Sequence, residues 1–222
     1  MSDMQLLGYY IVYPEPKPEY CTLAASHILT VSEYEFDGKF PDLTKCWFTN
    51  YPKSEREAYA ARLGLDEKEF SEFCFLVNEL IAQKRMSVDT RFGSLEDARK
   101  MLSFARNISG CMIVGIYTRS DIAAEFGSEF FEEVPVAESE EEGFFMGHEI
   151  LGCENMNGEF QFCSYLVNGL EKDISEKYEL KPAPDTGFLQ NSFDEVLSFA
   201  DLILGKGEPV VWTPFEIRKF ES

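Results

Sequence analysis

The chain has 222 residues, 40 acidic against 20 basic, and a formal net charge of −20. That balance excludes the basic footprint that nucleic-acid binding needs and the polybasic contacts that draw proteins to anionic membrane surfaces. Apolar residues make up 45%, ordinary for a chain with a buried core, and no run reaches the roughly 18–20 apolar residues of a membrane span.

The start, Met1-Ser2-Asp3-Met4-Gln5-Leu6-Leu7, has no basic region and no small-residue cleavage site, so it is not read as a secretory signal. A cytoplasmic location is expected. The six cysteines (21, 46, 74, 111, 153 and 163) are then expected to be reduced thiols. Gly8 to Tyr13 reads as a strand ended by the stiff loop Pro14-Glu15-Pro16-Lys17-Pro18. Ile28 to Phe36 partly alternates, as a half-exposed strand does, and Asp37-Gly38 is a turn signal. Cys46 to Thr49 is a short aromatic strand.

Two capping boxes follow, Ser54-x-x-Glu57 and Asp66-x-x-Glu69. Each pairs a side-chain oxygen with orphan backbone donors and so marks a helix start. The first helix ends at Gly64. The second carries Phe70, Phe73, Cys74, Val77, Leu80 and Ile81 at the spacing of one buried stripe. Ser94-x-x-Asp97 opens a third helix, Ser109-Gly110 stops it, and Cys111 to Tyr117 is a continuous apolar run. Such a run predicts a strand covered on both faces. Ile122, Phe126 and Phe130 recur at helical spacing, interrupted by Gly127.

The stretch Glu132 to Glu142 is acidic and holds Pro135. It reads as a solvated connector. Beyond it two strands are predicted, Phe144 to Leu151 and Phe160 to Val167, turning at Asn155 to Gly158. A helix spans Leu170 to Tyr178, and Pro182 and Pro184 make a loop. The capping box Ser192-x-x-Glu195 then opens a helix with Phe193, Val196, Leu197, Ala200, Ile203 and Leu204 on one stripe. Gly205-Lys206-Gly207 stops it. Val210 to Ile217 is a final strand in which Pro214 predicts an edge position or a bulge.

Several of these pieces recur in order. Asp89-Thr90-Arg91-Phe92 is echoed by Asp185-Thr186-Gly187-Phe188, and Gly8-Tyr9-Tyr10-Ile11 by Gly143-Phe144-Phe145-Met146. Ser94 to Cys111 and Ser192 to Pro209 each span 17 residues. The expected fold is therefore α+β, with two related halves, each a small antiparallel-rich sheet with helices packed on one face. The boundaries are 1–127 for the first half, 128–142 for an acidic linker and 143–222 for the second half.

No spacing encodes a reaction. His148-Glu149 has Cys153 and Cys163 nearby, but the pattern is no zinc motif, because position 152 is Gly and no Cys-x2-Cys exists. Neither a metal nor a cofactor is expected, and no catalytic residue is assigned. Gly205-Lys206-Gly207 follows a helix and precedes a strand, the reverse of a phosphate-binding loop. Two readings stay beside the non-enzymatic one: a thiol hydrolase pairing Cys153 or Cys163 with His148, and a small-ligand site between the halves.

The charge is unevenly placed. Residues 1–110 hold 17 acidic and 13 basic side chains, and residues 111–222 hold 23 and 7. A partner chosen by this field is a basic protein, and Glu132, Glu133, Glu138, Glu140, Glu141 and Glu142 are the candidate docking residues. The ordinary alternative is that this acidic run only keeps a linker solvated.

Residues 143–220 carry Gly143-Phe144-Phe145 on a strand, Asn168-Gly169-Leu170-Glu171 opening a helix, the cap at Ser192, and Glu208-Pro209-x-x-Trp212-x-Pro214 on the closing strand. This pattern resembles small acidic α+β immunity proteins of bacterial polymorphic toxin systems. The first half departs from it, with Asn50-Tyr51-Pro52 where the second has Asn168-Gly169-Leu170. The resemblance implies a cytosolic inhibitor that binds and neutralises a basic toxin domain.

Overall fold

The caps at Asp66, Ser94 and Ser192 sit at helix starts, whereas the first helix already begins at Lys53, ahead of the expected Ser54 cap. In the computed structural model Asp66 Oδ1 accepts the Glu69 N–H at 2.8 Å and Glu69 Oε2 accepts the Asp66 N–H at 3.0 Å. Both arms of that capping box are closed. The structure describes residues 4–12, 53–87, 91–107, 110–137, 139–156, 159–164, 172–183, 187–203 and 211–222. The strands expected over 28–36 and 46–49, the proline-rich loop after Tyr13, and both Asp-Thr pairs of the echo lie outside these residues.

Strand β1 is Met4–Val12. Helix α1 (Lys53–Leu63) precedes Gly64, and α2 (Glu67–Ala82) buries Phe70, Phe73, Leu76, Val77 and Leu80 along its stripe. Helix α3 (Leu95–Leu102) starts at Ser94, whose Oγ accepts the Asp97 N–H at 3.2 Å. It ends sooner than the apolar spacing predicts. The chain closes instead in tight turns, with Phe104 N donating to Met101 O and Ala105 N to Leu102 O, and Ala105 still reaches the core.

Strand β2 (Met112–Arg119) leads into α4 (Ser120–Ala123), a 3₁₀ turn (Ala124–Phe126) and α5 (Gly127–Glu133). The break falls at Gly127, which sits at φ +77°. Then come β3 (Phe144–Met156), β4 (Glu159–Ser164), α6 (Lys172–Lys177), α7 (Phe193–Ile203) and β5 (Val211–Phe220).

The α+β class and the antiparallel pairing hold. The strands form one five-stranded sheet in the order β1-β2-β5-β3-β4. β2 and β5 pair directly from Ile113↔Phe220 to Tyr117↔Glu216. Each of these apolar strands thus satisfies its backbone donors and acceptors against the other.

Alternation along the strands sorts side chains onto two faces. Tyr9, Ile11, Ile113 and Phe220 pack with the stripes of α1 to α3. Tyr10, Val12, Val114, Ile116, Phe215 and Ile217 pack with Ala123 and Phe130 of α4 and α5. Helix α7 meets the first face at Phe193, which packs on His148, while its Val196, Phe199 and Ala200 belong to the cluster of Phe215 and Ile217. His148 pairs in register with Glu216, which shares the face of Phe220. Helix α6 follows α7 through the Tyr178–Phe199 ring contact. Helices thus cover both faces, and the expected single-face packing fails at α4 and α5.

The segment 128–142 is likewise no free tether. Its first residues finish α5, Val134 is fully buried, and Ala137 N donates to Gly93 O at 2.8 Å. The apolar residues Val134 and Val136, set among the acids, pull the strand of chain onto the core.

Two glycines shape the sheet. The register slips between Leu6 and Gly8 in β1 and between Phe145 and Gly147 in β3. Gly8 lies at φ +150° and Gly147 at φ +130°. A Cβ on Gly8 would stand 2.5 Å from Arg91 Cγ, and one on Gly147 2.8 Å from Phe188 Cβ. Each bulge leaves one carbonyl outside the ladder. Arg91 Nη1 donates to Leu7 O at 3.1 Å, and Gln190 Nε2 donates to Met146 O at 2.8 Å. The residue after each glycine bridges a returning segment, Tyr9 with Phe92 and His148 with Leu189.

Pro214 sits within a central strand yet behaves as at an edge. The β2 ladder ends at Glu216, and Thr118 Oγ1 reaches over to donate to Pro214 O at 3.1 Å. The N–H and C=O of one strand residue point to the same side. The donor that proline lacks would therefore have faced β2 beyond its last ladder pair, Tyr117↔Glu216, where Thr118 contributes a side-chain bond instead.

Candidate functional site

The candidate docking acids separate into distinct roles. Arg91 is fully buried, and its Nη2 donates to Glu133 Oε2 at 2.8 Å and to Phe130 O at 3.2 Å. Its guanidinium stacks 4.0 Å from the Phe130 ring centre. Glu133 is thereby turned inward as the counter-charge of a core arginine. Glu141 makes a two-point bond to Arg99, with both N–O distances at 2.7 Å, and the guanidinium holds its carboxyl below the usual carboxylate range.

Glu132, Glu140 and Glu142 are exposed, with no ion-pair partner among the described residues. Glu138 lies outside the described residues. Directly after Glu142 and Gly143 come Phe144 and Phe145, 67% and 51% exposed. Aromatic rings that open beside acidic residues depart from the usual burial of phenylalanine.

Phe145 belongs to a strip across three strands on the α3 and α7 face. Tyr117, Glu216 and His148 align in one row, and Gly115, Arg218 and Phe145 in the next. Arg218 pairs with Glu216 and lies 4.6 Å over the Tyr117 ring. Arg119 is gripped by Asp121 at 2.9 Å and Asp194 at 3.0 Å and lies 5.5 Å from the Phe193 ring centre. The strip therefore already holds two guanidinium groups between carboxylates and ring faces.

His148 is 5% exposed between Phe145 and Phe193, at 5.3 and 5.8 Å. Burial pushes its pKa below the ordinary histidine value, against the opposing pull of Glu216 and of the Asn191 and Leu189 backbone. Its Nδ1 has no hydrogen-bond partner.

Cys153 follows His148 by five residues along β3. Cys163 pairs with Gly152 on the neighbouring strand, four residues along. Cys111 is half-buried, and burial pushes its thiol up to about 11, which suppresses the thiolate. Among the described residues no three His, Cys, Asp or Glu side chains gather as a metal site.

A depression of about 250 Å³ opens between α1 and α2, lined by Ala60, Leu65 and Phe70 with Glu57 and Glu67. Its lining lies within residues 57–71. Sequence reasoning missed the buried Arg91 and the cross-strand strip. Arg91 had one signal: the echo of its Asp-Thr-x-Phe motif has Gly187 in its place. No helix among the described residues is long and apolar enough to cross a membrane. No protein-family model matches the chain, and neither a curated protein nor a solved structure matches it.

Proposed function

We propose that this chain is a non-catalytic inhibitor made of two related halves, which binds a basic protein in the cytoplasm. The class that its second half resembles, an immunity protein neutralising a basic toxin domain, is the reading adopted. The observation that carries it is the surplus of carboxylates from residue 111 onward. Residues 111–222 hold 23 acidic side chains against 7 basic. Glu132, Glu140 and Glu142 stand exposed while the arginines nearby are spent on Glu133 and Glu141. Like charges left together on a surface cost stability through repulsion and are relieved by a cationic partner.

The relation between the halves is supported by local geometry. Lys84 after α2 and Glu179 after α6 both take positive φ, +56° and +53°. Arg85 N then donates to Leu80 O, and Leu180 N to Ser175 O. Gly8 lies opposite Ile116, Gly147 lies opposite Ile217, and Ile116 lies opposite Ile217. These registers are what a local twofold between β2 and β5 would give, and they support the proposed relation. This pairing matches Gly8 to Gly147, four residues beyond the Gly143 of the sequence echo.

The test is capture of a basic toxin nuclease domain by the full chain at low and high salt. Binding that weakens steeply with salt is expected. A triple substitution Glu132→Gln, Glu140→Gln, Glu142→Gln should weaken it by about tenfold, at roughly 0.5 kcal/mol per rim charge. Absent or salt-insensitive binding refutes the reading.

A further inference from the structure

We infer that Phe144 and Phe145, flanked by Glu140 and Glu142, form the anchor at which a basic protein partner's arginine side chains are seated. The inference rests on the binding reading above and names its surface and its preferred cation. Four observations carry it.

The two rings are large apolar side chains exposed at the start of β3, at 67% and 51%. Exposed adjacent aromatics concentrate binding energy when a partner desolvates them. They lie on opposite faces of β3 by alternation, so a side chain could approach either face. The flanking carboxylates of Glu140 and Glu142 have no ion-pair partner among the described residues.

The chain's own contacts show the chemistry this surface favours. Arg99 forks onto Glu141, the acid between the two free ones, at 2.7 Å through both nitrogens. Arg218, the register partner of Phe145, stacks over Tyr117 at 4.6 Å. Arg119 stacks over Phe193 at 5.5 Å. A planar guanidinium satisfies a carboxylate and a ring face together, whereas an ammonium is a strongly hydrated point charge. The occupant that fits is therefore arginine rather than lysine.

The probes are fluorescein-labelled nona-arginine and nona-lysine peptides, titrated against the full chain by fluorescence anisotropy at fixed salt. The wild-type chain should bind nona-arginine about fivefold more tightly, the size of an exposed cation–π contribution. Phe144→Leu with Phe145→Leu keeps apolar bulk and removes the ring faces. It should abolish the preference and leave nona-lysine affinity unchanged. Phe144→Ala with Phe145→Ala should do the same, with a circular-dichroism melt to verify folding. Glu140→Gln with Glu142→Gln should weaken both peptides alike.

A wild-type chain that binds both peptides equally overturns the arginine anchor, and so does a preference that survives in the leucine variant. In either case binding itself persists and the basic-partner reading stands. Binding of neither peptide overturns both.

Discussion

Replacing Arg91 with alanine tests whether the acidic strap holds the core together. Arg91 is fully buried and donates to Leu7 O, Phe130 O and Glu133. Its removal strands two buried carbonyls, at roughly 1–3 kcal/mol each before relaxation. It also leaves Glu133 without its counter-charge. Breaking a buried pair costs about 3–5 kcal/mol, less here because the Glu133 side chain keeps 19% exposure. These losses overlap, since all depend on one guanidinium, and a net destabilisation of about 4 kcal/mol is expected.

Urea denaturation followed by fluorescence of Trp47 and Trp212 reads it. With a slope of about 2 kcal/mol per molar urea the midpoint should fall by about 2 M. Glu133→Gln keeps an acceptor for Arg91 and should cost about half as much. In the double variant the two effects should not add, because both act on one contact. A midpoint shift below about 0.5 M for Arg91→Ala would sink the claim that this arginine ties β1 to α5.

Gly147→Ala should cost about 2–3 kcal/mol by the same assay, since φ +130° is strained for alanine and Phe188 and the Leu189 carbonyl crowd the new Cβ. Gly127→Ala, at φ +77° with open space around it, should cost only about 1 kcal/mol. His148 should titrate below 6.5 in a proton NMR titration, because burial depresses it. Its contribution to stability is present above the unfolded value of about 6.5 and is lost as pH falls through the folded pKa. His148→Gln should flatten that acid limb, and an unchanged limb would contradict the assignment. Cys111, raised to about 11 by burial, should resist iodoacetamide at pH 8 in the folded chain and react once urea unfolds it. Rapid native alkylation there would place the thiol at the surface.

Local chemistry was legible in the residues alone. The caps at Asp66, Ser94 and Ser192 set helix starts because their side chains bond backbone donors two or three positions on. The break at Gly127 and the apolar runs of β2 and β3 were legible for the same reason: periodicity and turn preference act within a few residues. The acids of the strap were found as a run, but the run could not show that Glu133 and Glu141 are tied to arginines 42 positions away.

What only the tertiary structure decided is long-range. The sheet is shared because β2 and β5 pair across about a hundred residues, a register no local pattern encodes. The bulge carbonyl of Leu7 calls for a donor, and the one that answers, Arg91, sits 84 residues along. Phe144 was legible as a strand residue, and only the folded chain leaves it open. Side-chain burial is set by which surfaces the folded chain brings together, and sequence spacing reports only which side chains share a face.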